Sequence, residues 1–141
     1  MPLLPKAARA ALHFWEEPCI SGRGGSGTVF FSGCNLECAF CQNYGVSHMG
    51  IGKPITYERL ADIFKELEEK GAENITLVTP SHYWHAVIRA LEIYKPDIPI
   101  VYNTGGYDTV NAVRALKGYI DIYLTDLKYL TADRAKIYSG A

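Results

Sequence analysis

Cys34, Cys38 and Cys41 fall within eight residues, in the stretch Gly33-Cys34-Asn35-Leu36-Glu37-Cys38-Ala39-Phe40-Cys41-Gln42-Asn43-Tyr44. A loop this short can turn three sulfurs toward one region, and soft thiolate ligands suit iron–sulfur sites. Four cysteines would saturate a four-iron cluster, whereas three leave one iron open for chemistry at the metal. Three other readings compete. Buried free thiols fit poorly with the Gly, Asn, Glu and Gln around them. Disulfides require an oxidising compartment, which nothing in the sequence indicates. Structural zinc, with Cys19 as a distant fourth ligand, is the serious rival. A lone cysteine fifteen residues upstream is more often a packed small apolar residue, and Cys19 is left out of the site.

The elements that must position this loop follow from periodicity and punctuation. Residues 5–17 carry Ala7, Ala8, Ala11, Leu12 and Trp15 at helical spacing, with Pro18 as a stop. A strand over 28–32 delivers the cysteine loop at its C-terminal end. Gly22-Arg23-Gly24-Gly25-Ser26-Gly27 formally matches G-x-G-x-x-G. A nucleotide loop needs a strand before it and a helix after it; here a strand follows, so the stretch reads as a flexible entry. Residues 53–56 read as a turn with Thr56 as the N-cap of a helix over 57–70. Leu60, Ile63, Phe64 and Leu67 form that helix's apolar face, and Gly71 closes it. Strands at 74–79, 98–103 and 119–127 alternate with helices over 83–94, after Asp108 as cap, and from about Thr131. Four strands alternating with helices imply βα units and a parallel sheet, as a single domain over 1–141.

The chain has 141 residues, is 48% hydrophobic and carries 14 basic against 15 acidic residues, enough for one core and with no basic run. Nucleic-acid or membrane-surface binding therefore has no electrostatic support. No apolar stretch approaches the ~20 residues of a membrane span. Clustered cysteines without a secretion leader fit a reducing cytoplasm. No Ser-His-Asp or Cys-His arrangement is legible, and no spaced carboxylate pair.

Phe40, directly before the third cysteine, completes a C-x3-C-x-aromatic-C pattern that resembles the radical S-adenosylmethionine (SAM) enzymes. Within that superfamily, FFSGCNLECAFCQNY is similar to the activases of glycyl-radical enzymes, in a branch related to pyruvate formate-lyase activating enzyme. The similarity runs from about residue 16 to the last. It implies a [4Fe–4S] cluster on Cys34, Cys38 and Cys41, with SAM on the open iron and Phe40 beside the adenine. It further implies reductive cleavage of SAM to a 5′-deoxyadenosyl radical that abstracts hydrogen from a glycine of a partner glycyl-radical enzyme. A flavodoxin or ferredoxin-type protein would supply the electron. The implied fold is a partial βα barrel of six units, of which about four are present, so the domain is expected to be incomplete at its C-terminus.

The strand ends carry the remaining resemblance. Where most activases have Gly-Gly-Glu for the amino group of SAM, this chain has Thr79-Pro80-Ser81-His82, so Thr79, Ser81 and backbone carbonyls would take that role. An ordinary turn with Ser81 as N-cap explains the stretch equally well. Asn103-Thr104-Gly105-Gly106 resembles Asp-Thr-Asn-Gly, which implies that Asn103 and Thr104 lie near SAM. The change to Asn removes the charge a cation site would use, and a plain strand end with a Gly-Gly turn needs no ligand. Asp126-Leu127-Lys128 resembles the Asp-Leu-Lys of the activases. Residues two apart on a strand share a face, and the similarity implies Lys128 on the SAM carboxylate with Asp126 orienting polar groups. The plainer alternative is a local ion pair at a solvated rim.

Overall fold

The computed structural model describes residues 4–141. Strand β1 (Lys6–His13) pairs antiparallel with β2 (Ser26–Phe31) on one side and with the two-residue β3 (Lys53–Pro54) on the other. The helix expected over 5–17 is therefore absent; residues 1–3 lie outside the described residues. The register of β1 slips between Ala7 and Arg9, so a bulge breaks the two-residue alternation that would have announced a strand. Sheet pairing on both flanks then outweighs the helix propensity of Ala and Arg. Helix α1 (Pro18–Ser21) is a single turn after it. The stretch read as a turn at 53–56 contains β3, where Pro54 is tolerated because the strand lies at a sheet edge.

From β2 onward the chain runs in βα units. Helix α2 (Tyr44–Ser47) and β3 precede α3 (Tyr57–Glu69), then come β4 (Ile75–Val78), a 3-10 turn at Ser81–Tyr83 and α4 (Trp84–Ile93). Strand β5 (Ile100–Thr104), α5 (Val110–Ala115), β6 (Ile122–Thr125) and α6 (Ala132–Ser139) complete the described chain. Strands β2, β4, β5 and β6 are parallel neighbours within a six-stranded sheet of order β3-β1-β2-β4-β5-β6. Sequential order with every neighbour parallel is that of a partial βα barrel. Strand β6 is shorter than the expected 119–127 because Tyr119 and Ile120 still close the turn after α5 through bonds to the Leu116 carbonyl.

The two faces of the sheet differ in chemistry. Val29, Phe31, Ile75, Leu77, Ile100 and Tyr102 face the helical layer and form the core with Leu60, Phe64 and Leu67 of α3 and Ala86, Val87 and Leu91 of α4. Thr56 caps α3 by accepting the Arg59 N–H at 3.1 Å. Alternate residues point to the other, inner face, which mixes Phe30, Val78 and Val101 with Ser26, Thr28, Thr76 and Asn103. Ser26, Thr76 and Asn74 interlock there at 2.5–3.0 Å, and the Asn74 amide donates to the Ile20 carbonyl of α1 at 2.5 Å. Hydroxyls and an amide buried at the foot of the sheet satisfy one another, leaving the C-terminal strand ends to address something else. No helix among the described residues is long and apolar enough to cross a membrane.

Candidate functional site

Strand β2 ends at Phe31 and hands the chain to Ser32 and Gly33, where the cysteine loop begins. Gly33 has φ +85°, and a Cβ there would stand 3.2 Å from His82 Nε2. The turn needs glycine on both counts. His82 donates from Nε2 to the Ser32 carbonyl at 2.8 Å, which ties the loop entry to the end of β4. Burial holds this imidazole below its ordinary value, opposed by the Ser32 bond and assisted by His85. The loop itself is short and pinned: Cys41 N–H donates to the Cys38 carbonyl at 3.1 Å, and Gly33 N–H to the Val46 carbonyl at 2.9 Å. Helix α6 grips its middle, because Glu37 N–H donates to the Ser139 carbonyl and Ala39 N–H to the Tyr138 carbonyl, both at 2.9 Å.

Cys34, Cys38 and Cys41 line one cavity of about 530 Å³ at the C-terminal ends of the parallel strands. Phe40, Thr79, Asn103, Thr104, Asp126 and Lys128 line the same cavity. Of the residues singled out from sequence, Ser81 alone is not on this wall. Its hydroxyl lies 3.1 Å from the Thr104 hydroxyl and supports that residue from behind. Ser81 lies inside a 3-10 turn whose N-cap is Pro80, so it is not the cap. Cys19 is exposed on α1 and does not line the cavity.

Each wall residue has a physical reason for its place. Thr79 follows β4 with φ +52°, a conformation that a β-branched residue rarely adopts. Two bonds hold it there: its N–H donates to the Asn103 carbonyl at 3.1 Å and its hydroxyl to the Phe31 carbonyl at 3.3 Å. Thr104 donates to Asp108 Oδ2 at 2.5 Å and accepts the Gly106 N–H at 3.2 Å, which shapes the Gly105-Gly106 turn. Asp108 also accepts from the buried Tyr102 phenol at 2.9 Å. It is therefore no helix cap; Thr109 fills that role by accepting the Ala112 N–H. Asp126 and Lys128 lie beyond the end of β6, so loop geometry rather than strand alternation brings them together, at 2.6 Å. Burial draws the Lys128 ammonium down, but the bond and charge of Asp126, with Cys38, outweigh it and the net shift is upward. Phe40 is 58% exposed and meets Tyr129 edge-on at 6.4 Å.

The thiols suit a cluster. Burial pushes the Cys34 thiol up; the Leu36 N–H draws it down, Cys38 and Cys41 raise it further, and Lys128 lowers it. Among the described residues, no group of three or more His, Cys, Asp or Glu side chains is arranged to hold one metal ion. Three thiols on one cavity wall are the soft donor set that an iron–sulfur group takes. Sequence reasoning missed several features: the strained Thr79, the Tyr102–Asp108–Thr104 chain, and Ser139, whose hydroxyl donates to Cys38 Sγ at 2.9 Å. The last pair is 101 residues apart, and no local pattern encodes it.

Comparison with known proteins agrees with the fold. The chain is 33% identical over 127 residues to an uncharacterized protein of Methanocaldococcus jannaschii, covering 84% of this chain and 36% of that one. It is 30% identical over 131 residues to the pyruvate formate-lyase-activating enzyme of Clostridium pasteurianum, covering 86% of this chain and 53% of that one. The chain thus spans between a third and about half of the length of these curated relatives. The profile of the radical SAM superfamily matches residues 28–141, from the middle of β2 through α6, and the chain belongs to that superfamily.

Proposed function

We propose that this chain is the core of a radical SAM oxidoreductase, with Cys34, Cys38 and Cys41 ligating a [4Fe–4S] cluster and the strand ends binding SAM. The observation that carries this reading is the single cavity shared by the three thiols and by Phe40, Thr79, Asn103, Thr104, Asp126 and Lys128. When bound, cluster and cosubstrate supply one-electron cleavage of the sulfonium and a hydrogen-abstracting radical.

The residues divide the remaining work. Phe40 offers an exposed ring face to an adenine. Lys128, held protonated by Asp126, is the cation for the SAM carboxylate, and the half-exposed Asp126 can release it to that partner. The hydroxyl of Thr79 and the amide oxygen of Asn103 are acceptors for the ammonium. Thr104, with its own hydroxyl engaged, holds the Gly105-Gly106 turn against the cavity, and Ser81 braces Thr104. The relationship to a pyruvate formate-lyase-activating enzyme supports a glycyl-radical enzyme as the protein substrate and a flavodoxin- or ferredoxin-type reductant.

The test is anaerobic iron–sulfur reconstitution, followed by electron paramagnetic resonance of the reduced protein with and without SAM. The expected result is a four-iron signal that changes when SAM is added and is lost in Cys34→Ser, Cys38→Ser and Cys41→Ser. Zinc alone, or a cluster indifferent to SAM, would sink the reading. Substrate class is read separately, by deuterium transfer into 5′-deoxyadenosine from a candidate glycyl-radical protein carrying deuterated glycine. Transfer from another small molecule or peptide instead would retain the chemistry and replace the partner.

A further inference from the structure

Cys38 has a polar neighbour from the far end of the chain. Cys38 is 7% exposed and Ser139 is 1% exposed, and the Ser139 hydroxyl donates to Cys38 Sγ at 2.9 Å. The Tyr129 phenol lies 2.6 Å from the same serine oxygen. A serine hydroxyl owns one proton. With that proton committed to sulfur, the phenol must be the donor in the second bond. The result is a directional chain, from Tyr129 O–H to Ser139 Oγ and from Ser139 O–H to Cys38 Sγ, in which each donor polarises the next.

The other cysteine with a hydroxyl neighbour is built differently. Ser47 Oγ lies 3.1 Å from Cys41 Sγ, but Ser47 donates to the Asn43 carbonyl at 3.0 Å. It also stands 2.7 Å from His48 Nδ1, so its one proton is shared among several claimants and the sulfur of Cys41 has no dedicated donor. Ser139 is also held more firmly than a side-chain contact requires. The α6 carbonyls of Tyr138 and Ser139 accept from Ala39 and Glu37, the residues on either side of Cys38. The serine is thus fixed relative to the sulfur through the backbone.

We propose that Ser139, backed by Tyr129, is a positioning residue that raises the reduction potential of the iron–sulfur group ligated by Cys38. The proposal rests on the reading above that Cys38 is a cluster ligand. Reduction adds negative charge that spreads onto the ligand sulfurs. A donor bond to one of them in a buried setting stabilises the reduced form more than the oxidised one. Removing the donor makes the cluster harder to reduce.

The experiment uses the whole chain, reconstituted anaerobically as wild type, Ser139→Ala, Ser139→Thr, Tyr129→Phe and the Tyr129→Phe/Ser139→Ala double variant. The midpoint potential is read from the four-iron resonance at mediator-fixed potentials. Ser139→Ala is expected to shift it to a more negative value, Ser139→Thr to restore it, and Tyr129→Phe to shift it less. The double variant should match Ser139→Ala, since Tyr129 acts through Ser139. A Ser139→Ala midpoint equal to or above wild type, or a Tyr129→Phe shift that adds in full, overturns the proposal. Should Ser139→Ala fail to assemble, Tyr129→Phe decides, because it keeps the ring and the contact with Phe40; an unshifted value then overturns it. Failure of the underlying reading shows elsewhere, as a wild type with no four-iron signal or one that ignores SAM.

Discussion

Replacing Asp108 with alanine removes a carboxylate that two donors share. The Tyr102 phenol reaches it at 2.9 Å and the Thr104 hydroxyl at 2.5 Å. Tyr102 is fully buried, and burial, with the charge and hydrogen bond of Asp108, pushes its phenol far above the ordinary range, so it stays a neutral donor. Hydrogen bonds to a charged group contribute about 1.5–3 kcal/mol each, so the two together bound the loss at about 3–6 kcal/mol. Asp108 is itself partly exposed, and water entering the gap compensates in part. The expected loss for Asp108→Ala is therefore about 2–4 kcal/mol. Asp108→Asn, which keeps one carbonyl acceptor, should lose about half as much. The assay is urea unfolding of the metal-free chain followed by far-ultraviolet circular dichroism. Tyr102→Phe removes the stranded phenol, so Asp108→Ala in that background should cost at least about 1 kcal/mol less. A single-variant loss under about 1 kcal/mol, or an unchanged loss in the Tyr102→Phe background, refutes the assignment.

Three further outcomes are expected. His82 has a lowered value in the folded chain, so as pH falls below 6.5 the unfolded chain takes the proton first. Stability present above that pH declines and is gone once pH passes the folded value, and His82→Gln should flatten this slope in unfolding experiments between about pH 7 and 5; an unchanged slope contradicts the cause. Gly52 has φ +141°, and a Cβ there would stand 2.2 Å from Ser32 Oγ and 2.8 Å from the Ala7 carbonyl oxygen. Gly52→Ala should cost about 2 kcal/mol or more in urea unfolding by prising β1 from the loop entry, and a loss below about 0.5 kcal/mol would show that the strand gives way freely. Thr56→Ala should cost about 1 kcal/mol through the lost cap of α3, with Thr56→Ser close to wild type in the same assay.

The βα units were legible because each depends on local pattern. Leu60, Ile63, Phe64 and Leu67 recur at helical spacing, and 75–78 and 100–104 are short apolar runs between turn residues. The cysteine loop was legible for the same reason, since its residues are neighbours in sequence. Strand β1 was not, because its bulge hides the alternation and its partners lie 13–24 residues away on β2 and 46–48 away on β3. The role of Asp108 was misread because a residue before a helix is ordinarily a cap, while the donors that claim it come from the strand behind. Asp126 and Lys128 reach the cavity although the strand ends before them, so strand alternation is not what brings the pair together. The left-handed Thr79 carries no signature at all; its conformation comes from bonds to Phe31 and Asn103 on the two strands beside β4.

The grip of α6 on the cysteine loop also sets an order of events during synthesis. The pairing of β1 with β2 and β3 needs nothing beyond Pro54, so that side of the sheet can form early on the ribosome. Cys38 must wait for a partner 101 residues later. At the usual pace of translation that interval is roughly 5–20 s. Throughout it the three cysteines sit on a loop whose backbone donors at Glu37 and Ala39 are not yet engaged by α6. Settled geometry at the thiols thus arises only once α6 has been made, and metal delivered before then would meet a site still without its clasp.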